Sequence, residues 1–116
     1  MTVEQQQHDA MLRERGRALH VCRVTTSTLA NARRSAKEAL RRGDTSARTV
    51  QLTYTPFRES VAPLESAVAA LREYVKADPS DAEVATQLTL SARLLAEGQT
   101  LLPQINELLG DGEAES

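Results

Sequence analysis

The chain has 116 residues, 41% apolar but only 3% aromatic, with one cysteine and a net charge of −2. A domain of this size buries a usable core without disulfides or metal. The low net charge excludes the strongly charged disordered class, and the lone Cys22 excludes an intramolecular disulfide. Leu, Ile, Val and Phe make up only about a fifth of the residues, so alanine fills much of the apolar fraction and favours helices that approach closely. The start, "MTVEQQQHDAMLRERGR", has no apolar core of the signal-peptide kind, and no run of eighteen apolar residues occurs. The expectation is an all-α, cytoplasmic chain with no membrane segment.

The first helix is predicted over about 4–42. Its seam runs through Met11, Ala18, Cys22, Thr25, Leu29, Ala32, Ala36 and Ala39, flanked by Leu12, Leu19 and Leu40, and its small side chains predict close or incomplete packing. "RRGDTS" closes it: Arg41 and Arg42 suit the negative end of the helix dipole, and Gly43 supplies a left-handed stop. Asp44, Thr45 or Ser46 then caps the next helix.

The second helix, about 46–77, carries the clearest pattern. Val50, Tyr54, Phe57, Val61, Leu64, Val68, Leu71 and Val75 are spaced alternately four and three apart, an unbroken heptad seam. Pro56 and Pro63 fall on the outward side, seven apart. Either the helix continues through them and bends, or a new helix starts at Thr55 or Ser60 with proline in its first turn. The continuity of the seam through Val50 and Tyr54 favours one long bent helix.

"KADPSDAE" ends that helix and opens the third, about 81–109, with Ser80 as the expected cap and Glu83 completing a capping box. Its seam is Val84, Leu88, Ser91, Leu95, Gly98, Leu102, Ile105 and Leu109, widened by Leu94, Leu101 and Leu108. Ser91 and Gly98 are expected to receive large neighbours. Gly110 closes the helix, and residues 111–116 read as a short acidic disordered tail. Short connections make sequential helices antiparallel, so a single domain over 1–110 is predicted: three long helices in an antiparallel coiled-coil-like bundle.

Charge divides the chain. Residues 1–48 hold ten Lys or Arg against five acids, and residues 49–116 hold four against eleven. A basic first helix is therefore expected to pack against acidic later helices, in the same chain or in a second copy. The sharper reading is a basic stripe of Arg33, Arg34, Lys37, Arg41 and Arg42 that meets phosphates or an acidic partner.

Tyr54, Phe57 and the neighbouring Arg58 read first as packing groups and also as a candidate partner-binding spot. His8, His20 and Cys22 lack metal-ligand spacing, and no nucleophile, general base or oxyanion hole is assembled; no metal, cofactor or catalytic residue is expected. Arg15 and His20 in "RGRALH" have the R-x4-H spacing found in HEPN-type ribonucleases, and "YVKADPSDAEV" resembles the junction between tetratricopeptide repeats over about eleven residues. Neither assigns a family. The function expected is a small non-enzymatic protein–protein interaction module, an adaptor, chaperone or inhibitor, with a homo-oligomeric state, most simply a dimer. The alternative is a nucleic-acid-associated protein that binds phosphates through the first helix.

Overall fold

A computed structural model describes residues 2–110; the tail expected at 111–116 lies outside the described residues. The elements are α1 (Val3–Arg42), a short α2 (Ala47–Thr49), a π-helical turn (Val50–Tyr54), α3 (Thr55–Ala77) and α4 (Ala82–Leu109). Thr49, Val50, Tyr54 and Thr55 all hold right-handed helical dihedrals, so α2, the π turn and α3 form one uninterrupted arm. This is the long-helix alternative: α3 starts at Thr55 with no break in the helical dihedrals and no side-chain cap, and Ser60 lies inside it. The π turn shows how Pro56 is accommodated. A proline ring collides with the carbonyl four residues back in an α-helix, here that of Leu52. Widening the preceding turn moves that carbonyl aside, and the Thr55 N–H bonds five residues back, to Val50.

Three helical arms pack against one another, with the middle one antiparallel to its neighbours. α1 and α4 run parallel, as Arg15 meets Asp81, Cys22 meets Ser91 and Arg33 meets Glu97 in rising order along both helices. The molecule measures 59 × 27 × 22 Å. Its long axis is that of α1, whose 40 residues span about 60 Å at 1.5 Å per residue. Asp81, where α4 begins, sits beside Arg15, so the start of α1 projects beyond α4. Val3, Met11 and Leu12 there are 67%, 52% and 49% exposed.

The core follows the predicted seams where side chains are large. Tyr54, Phe57, Val61, Leu64, Val68 and Leu71 of the middle arm are buried, as are Val84, Leu95, Leu101 and Ile105 of α4. α1 contributes mainly small groups, Cys22, Ala36 and Ala39, with Leu19 and Leu29. Its predicted seam residue Met11 stays exposed, N-terminal to the point where α4 begins beside Arg15. Of the two small α4 positions, Gly98 does receive a large neighbour: a Cβ there would lie 3.2 Å from Leu29 Cδ2.

Local chemistry fixes the ends. Thr2 and Gln5 form a reciprocal capping box at the start of α1. Gly43 (φ 64°) closes it, and the Asp44 N–H reaches back to the Ala39 carbonyl at 3.0 Å. Ser46 is the cap chosen for the middle arm, accepting from the Thr49 N–H. Asp44 ties the turn together: its carboxylate accepts from the Ser46 N–H at 3.0 Å and the Thr49 hydroxyl at 2.7 Å. Those bonds hold the Asp44 carboxyl below its ordinary value. At the second turn the expectation is corrected. Asp81, not Ser80, caps α4 through the Val84 N–H, while Ser80 turns back onto Asp78.

Candidate functional site

The acid–base division of the sequence is used first inside the molecule. Arg15 of α1 donates from Nε and Nη2 to the two carboxylate oxygens of Asp81, at 2.7 and 2.9 Å. The same Nη2 reaches Glu83 at 2.8 Å, and Arg23 reaches the other oxygen of Glu83 at 3.2 Å. Asp81 thus caps α4 and locks it to α1 at once. Its carboxyl is held down to about 2, chiefly by the Arg15 hydrogen bonds, and Glu83 is lowered by the same arginine and by Arg23. The residue singled out in the R-x4-H pair is therefore a bidentate clamp in a structural network, while His20 lies exposed on the helix.

A second polar cluster lies in the core between α1 and α4. The Cys22 thiol and the Gln87 amide donate to Ser91 Oγ, each at 3.0 Å, and Thr26 Oγ1 lies 2.8 Å from the same oxygen. A hydroxyl has one proton and two lone pairs. With both lone pairs taken by Cys22 and Gln87, Ser91 donates to Thr26, and all its hydrogen-bonding capacity is used. Ser91 therefore receives polar partners instead of the large apolar neighbour expected of it.

Toward the C-terminal end of α1, the same two helices part to leave an open cleft of about 600 Å³, lined by Arg33, Arg34, Lys37, Glu38, Leu40, Arg41, Leu101 and Gln104. Four of the five residues of the predicted basic stripe meet here. The fifth, Arg42, lies outside the lining and sits 3.9 Å from Glu38. Helical spacing explains the gathering: residues 33, 37, 40 and 41 share a side of α1, and α4 supplies the opposite wall. Arg33 is held only loosely, with Nη1 3.7 Å from Glu97 and a solvent-shielded Nε that has no hydrogen-bond partner among the described residues. Arg41 pairs with Glu38, lowering that carboxyl. Arg34 and Lys37 make no ion pair or side-chain hydrogen bond among the described residues. The lining carries four cations and one carboxylate, beside apolar surface from Leu40 and Leu101.

Tyr54 and Phe57 have no exposed surface, so the partner contact considered for them is corrected. They anchor the core, and the Tyr54 hydroxyl donates to the Asp44 carbonyl at 2.8 Å. Burial raises the phenol above its ordinary value. Arg58 is half-buried on the same arm.

A long shallow groove, not anticipated from sequence, runs between α1 and α3 on the side away from α4. Two open hollows of about 310 and 380 Å³ lie along it. Its α1 wall includes Glu14, Arg17, Val21, Thr25 and Thr28; its α3 wall has Pro56, Pro63, Ser66 and Ala70 along the middle, with Glu59 in one hollow and Tyr74 at the end of the other. The signal was present as a second, poorly apolar seam on α1, outweighed by the first.

Among the described residues no group of three or more His, Cys, Asp or Glu could hold a metal ion, and no helix is long and apolar enough to cross a membrane. Comparison with protein-family models, curated proteins and solved structures finds no match to this chain.

Proposed function

We propose that this chain is a small non-enzymatic protein–protein interaction module whose α1–α4 cleft takes an acidic segment of a partner protein, in the manner of an adaptor, chaperone or inhibitor. The observation that carries the reading is the cleft itself: Arg34 and Lys37, without partners among the described residues, stand beside Arg33 and Arg41 around an apolar floor. Partial desolvation by Leu40 and Leu101 strengthens attraction to an incoming carboxylate, and an apolar side chain of the same segment has surface to cover.

A nucleic-acid backbone suits the cleft less well. Glu38 stands among the cations, Glu97 sits against Arg33, and no aromatic ring lines the cleft to stack a base. The reading takes the chain as cytoplasmic, in keeping with its unpaired and buried Cys22, and as self-associating, most simply into a dimer.

The test is fluorescence anisotropy with three labelled probes: a synthetic peptide of alternating Glu and Leu, a single-stranded oligonucleotide and a DNA duplex. The wild-type chain and an Arg34→Glu/Lys37→Glu variant are titrated at several salt concentrations. The peptide should bind more tightly than either nucleic acid, weaken as salt screens the charges, and lose at least tenfold in affinity with the variant. Equal binding by the variant refutes the cleft. Tighter binding of an oligonucleotide, with the steep salt slope of phosphate neutralisation, replaces the acidic peptide with nucleic acid as the ligand.

A further inference from the structure

The groove between α1 and α3 is the surface on which we propose that a second copy of this chain docks, with the two α1 helices antiparallel about a twofold axis between residues 15 and 16. The inference rests on the reading of the chain as self-associating, and gives that association a surface and a register.

Val3, Gln7, Ala10, Glu14, Arg17, Val21, Val24 and Thr28 are spaced alternately four and three apart on α1. They form a second heptad seam, rotated from the one that faces the core. The seam begins at the N-terminal end of α1 and continues along the groove wall. Apart from the partly buried Ala10 it is exposed, with Val3 at 67%, Val21 at 42% and Val24 at 50%. Glu14, Arg17 and Val21 line one hollow, and Thr28 lines the next. Opposite them Pro63, Ser66 and Ala70 of α3 leave room for another helix along the middle of the groove, between Glu59 and Tyr74.

Charge selects the occupant. The first turns of α1, residues 3–14, hold three acids, Glu4, Asp9 and Glu14, against one base, Arg13, so they are not a basic arm seeking the acidic helices of another copy. Their complement is α1 itself. In an antiparallel twofold pair, seam positions whose numbers sum to 31 face each other. Glu14 then meets Arg17 of the other copy, and Arg17 meets its Glu14, so two ion pairs form at the centre. Ala10 meets Val21, Val3 meets Thr28 and Gln7 meets Val24, each twice by symmetry.

Slipping by one heptad in either direction loses this match. In one slip Glu14 faces Ala10 and Arg17 faces Gln7; in the other Glu14 faces Val24 and Arg17 faces Val21, placing charges against valines. The register summing to 31 pairs residues 3 to 28 of each copy, about 39 Å of helix at 1.5 Å per residue. It also covers the exposed start of the seam at Val3 and Gln7.

Because each substitution enters the twofold interface twice, charge reversal tests the register directly. Glu14 and Arg17 are exposed and make no hydrogen bond or ion pair among the described residues, so their replacement leaves the monomer fold intact, which circular dichroism checks. The experiment is sedimentation equilibrium of the full chain over a wide concentration range, for wild type, Glu14→Arg, Arg17→Glu and the double variant. Wild type should reach a dimer mass. Each single reversal should raise the dissociation constant at least tenfold, and the double variant, which restores opposite charges with signs exchanged, should recover most of that loss. A wild-type chain that stays monomeric, a dimer indifferent to the single reversals, or a double variant as weak as the singles overturns the proposal. Peptide binding at the α1–α4 cleft is read separately on the same samples, so failure of one interface is distinguishable from failure of the other.

Discussion

Leu29 of α1 packs over Gly98 of α4, and the two should behave as one unit. Leu29→Ala removes the Cγ, Cδ1 and Cδ2 atoms that stand 3.7, 3.5 and 3.2 Å from where a Cβ on residue 98 would sit. Leu29 has no exposed surface, so that truncation should cost roughly 2–5 kcal/mol. Gly98→Ala alone sets two effects against each other. Replacing glycine inside a helix favours the fold by about 1 kcal/mol, while pressing a methyl group onto a packed leucine costs about 1–3 kcal/mol. The expected net is a loss of about 0–2 kcal/mol. In the Leu29→Ala background the opposing atoms are gone, and the same substitution should stabilise by about 1 kcal/mol. The coupling free energy of the cycle is then about 1–3 kcal/mol in favour of the double variant. Urea unfolding of the four proteins measures it, read as midpoints at a common slope. Additivity within about 0.5 kcal/mol would show that the two helices do not meet at these residues.

Two further outcomes follow from the clamp and the prolines. With the folded Asp81 carboxyl held to about 2, the unfolded chain binds more protons than the folded one as pH falls below about 4. Stability contributed by the clamp is therefore present above that pH and lost as pH drops toward about 2. Thermal melts between pH 5 and 2 should show this loss, and Arg15→Met should flatten it; an identical acid profile in the variant would detach Asp81 from Arg15. Pro63→Ala restores an amide N–H inside α3, where Pro63 is exposed. It should be neutral or stabilising by up to about 3 kcal/mol, and a drop in melting temperature would show that the ring is needed in place.

The parts of this fold legible from sequence are those where large side chains recur at helical spacing. The Tyr54-to-Leu71 seam and the Val84-to-Ile105 seam are buried as their pattern demands, and the helix limits at Gly43 and Gly110 follow from glycine's access to left-handed dihedrals. α1 was less legible because alanine and threonine do not declare which face they belong to. Its second, outward seam is hidden by Gln7, Glu14 and Arg17, which a hydrophobicity pattern passes over. Asp81 and Ser80 are equally good caps by local rules; the one used, Asp81, is also held by Arg15, sixty-six positions away, a partner that no local rule sees. Likewise two of the three polar partners of Ser91, Cys22 and Thr26, come from another helix. The basic stripe was legible as five residues, but the split between Arg42, outside the cleft, and the other four depends on where α4 lies.

The π turn couples chain length to proline. A π turn holds one residue more than the α turn it replaces, so the helix on either side keeps its phase while the extra residue is absorbed between Val50 and Tyr54. Loss of one residue there, for instance the exposed Leu52, would return the segment to α geometry and bring the Pro56 ring against the carbonyl four back. Replacement of Pro56 would remove the reason for the widened turn while leaving its extra residue behind. The deletion and the replacement each cause a conflict that the other relieves, and together they describe a straight helix one residue shorter with Phe57, Val61 and Leu64 still facing the core. In this segment, single-residue changes in length and the identity of residue 56 are expected to change together.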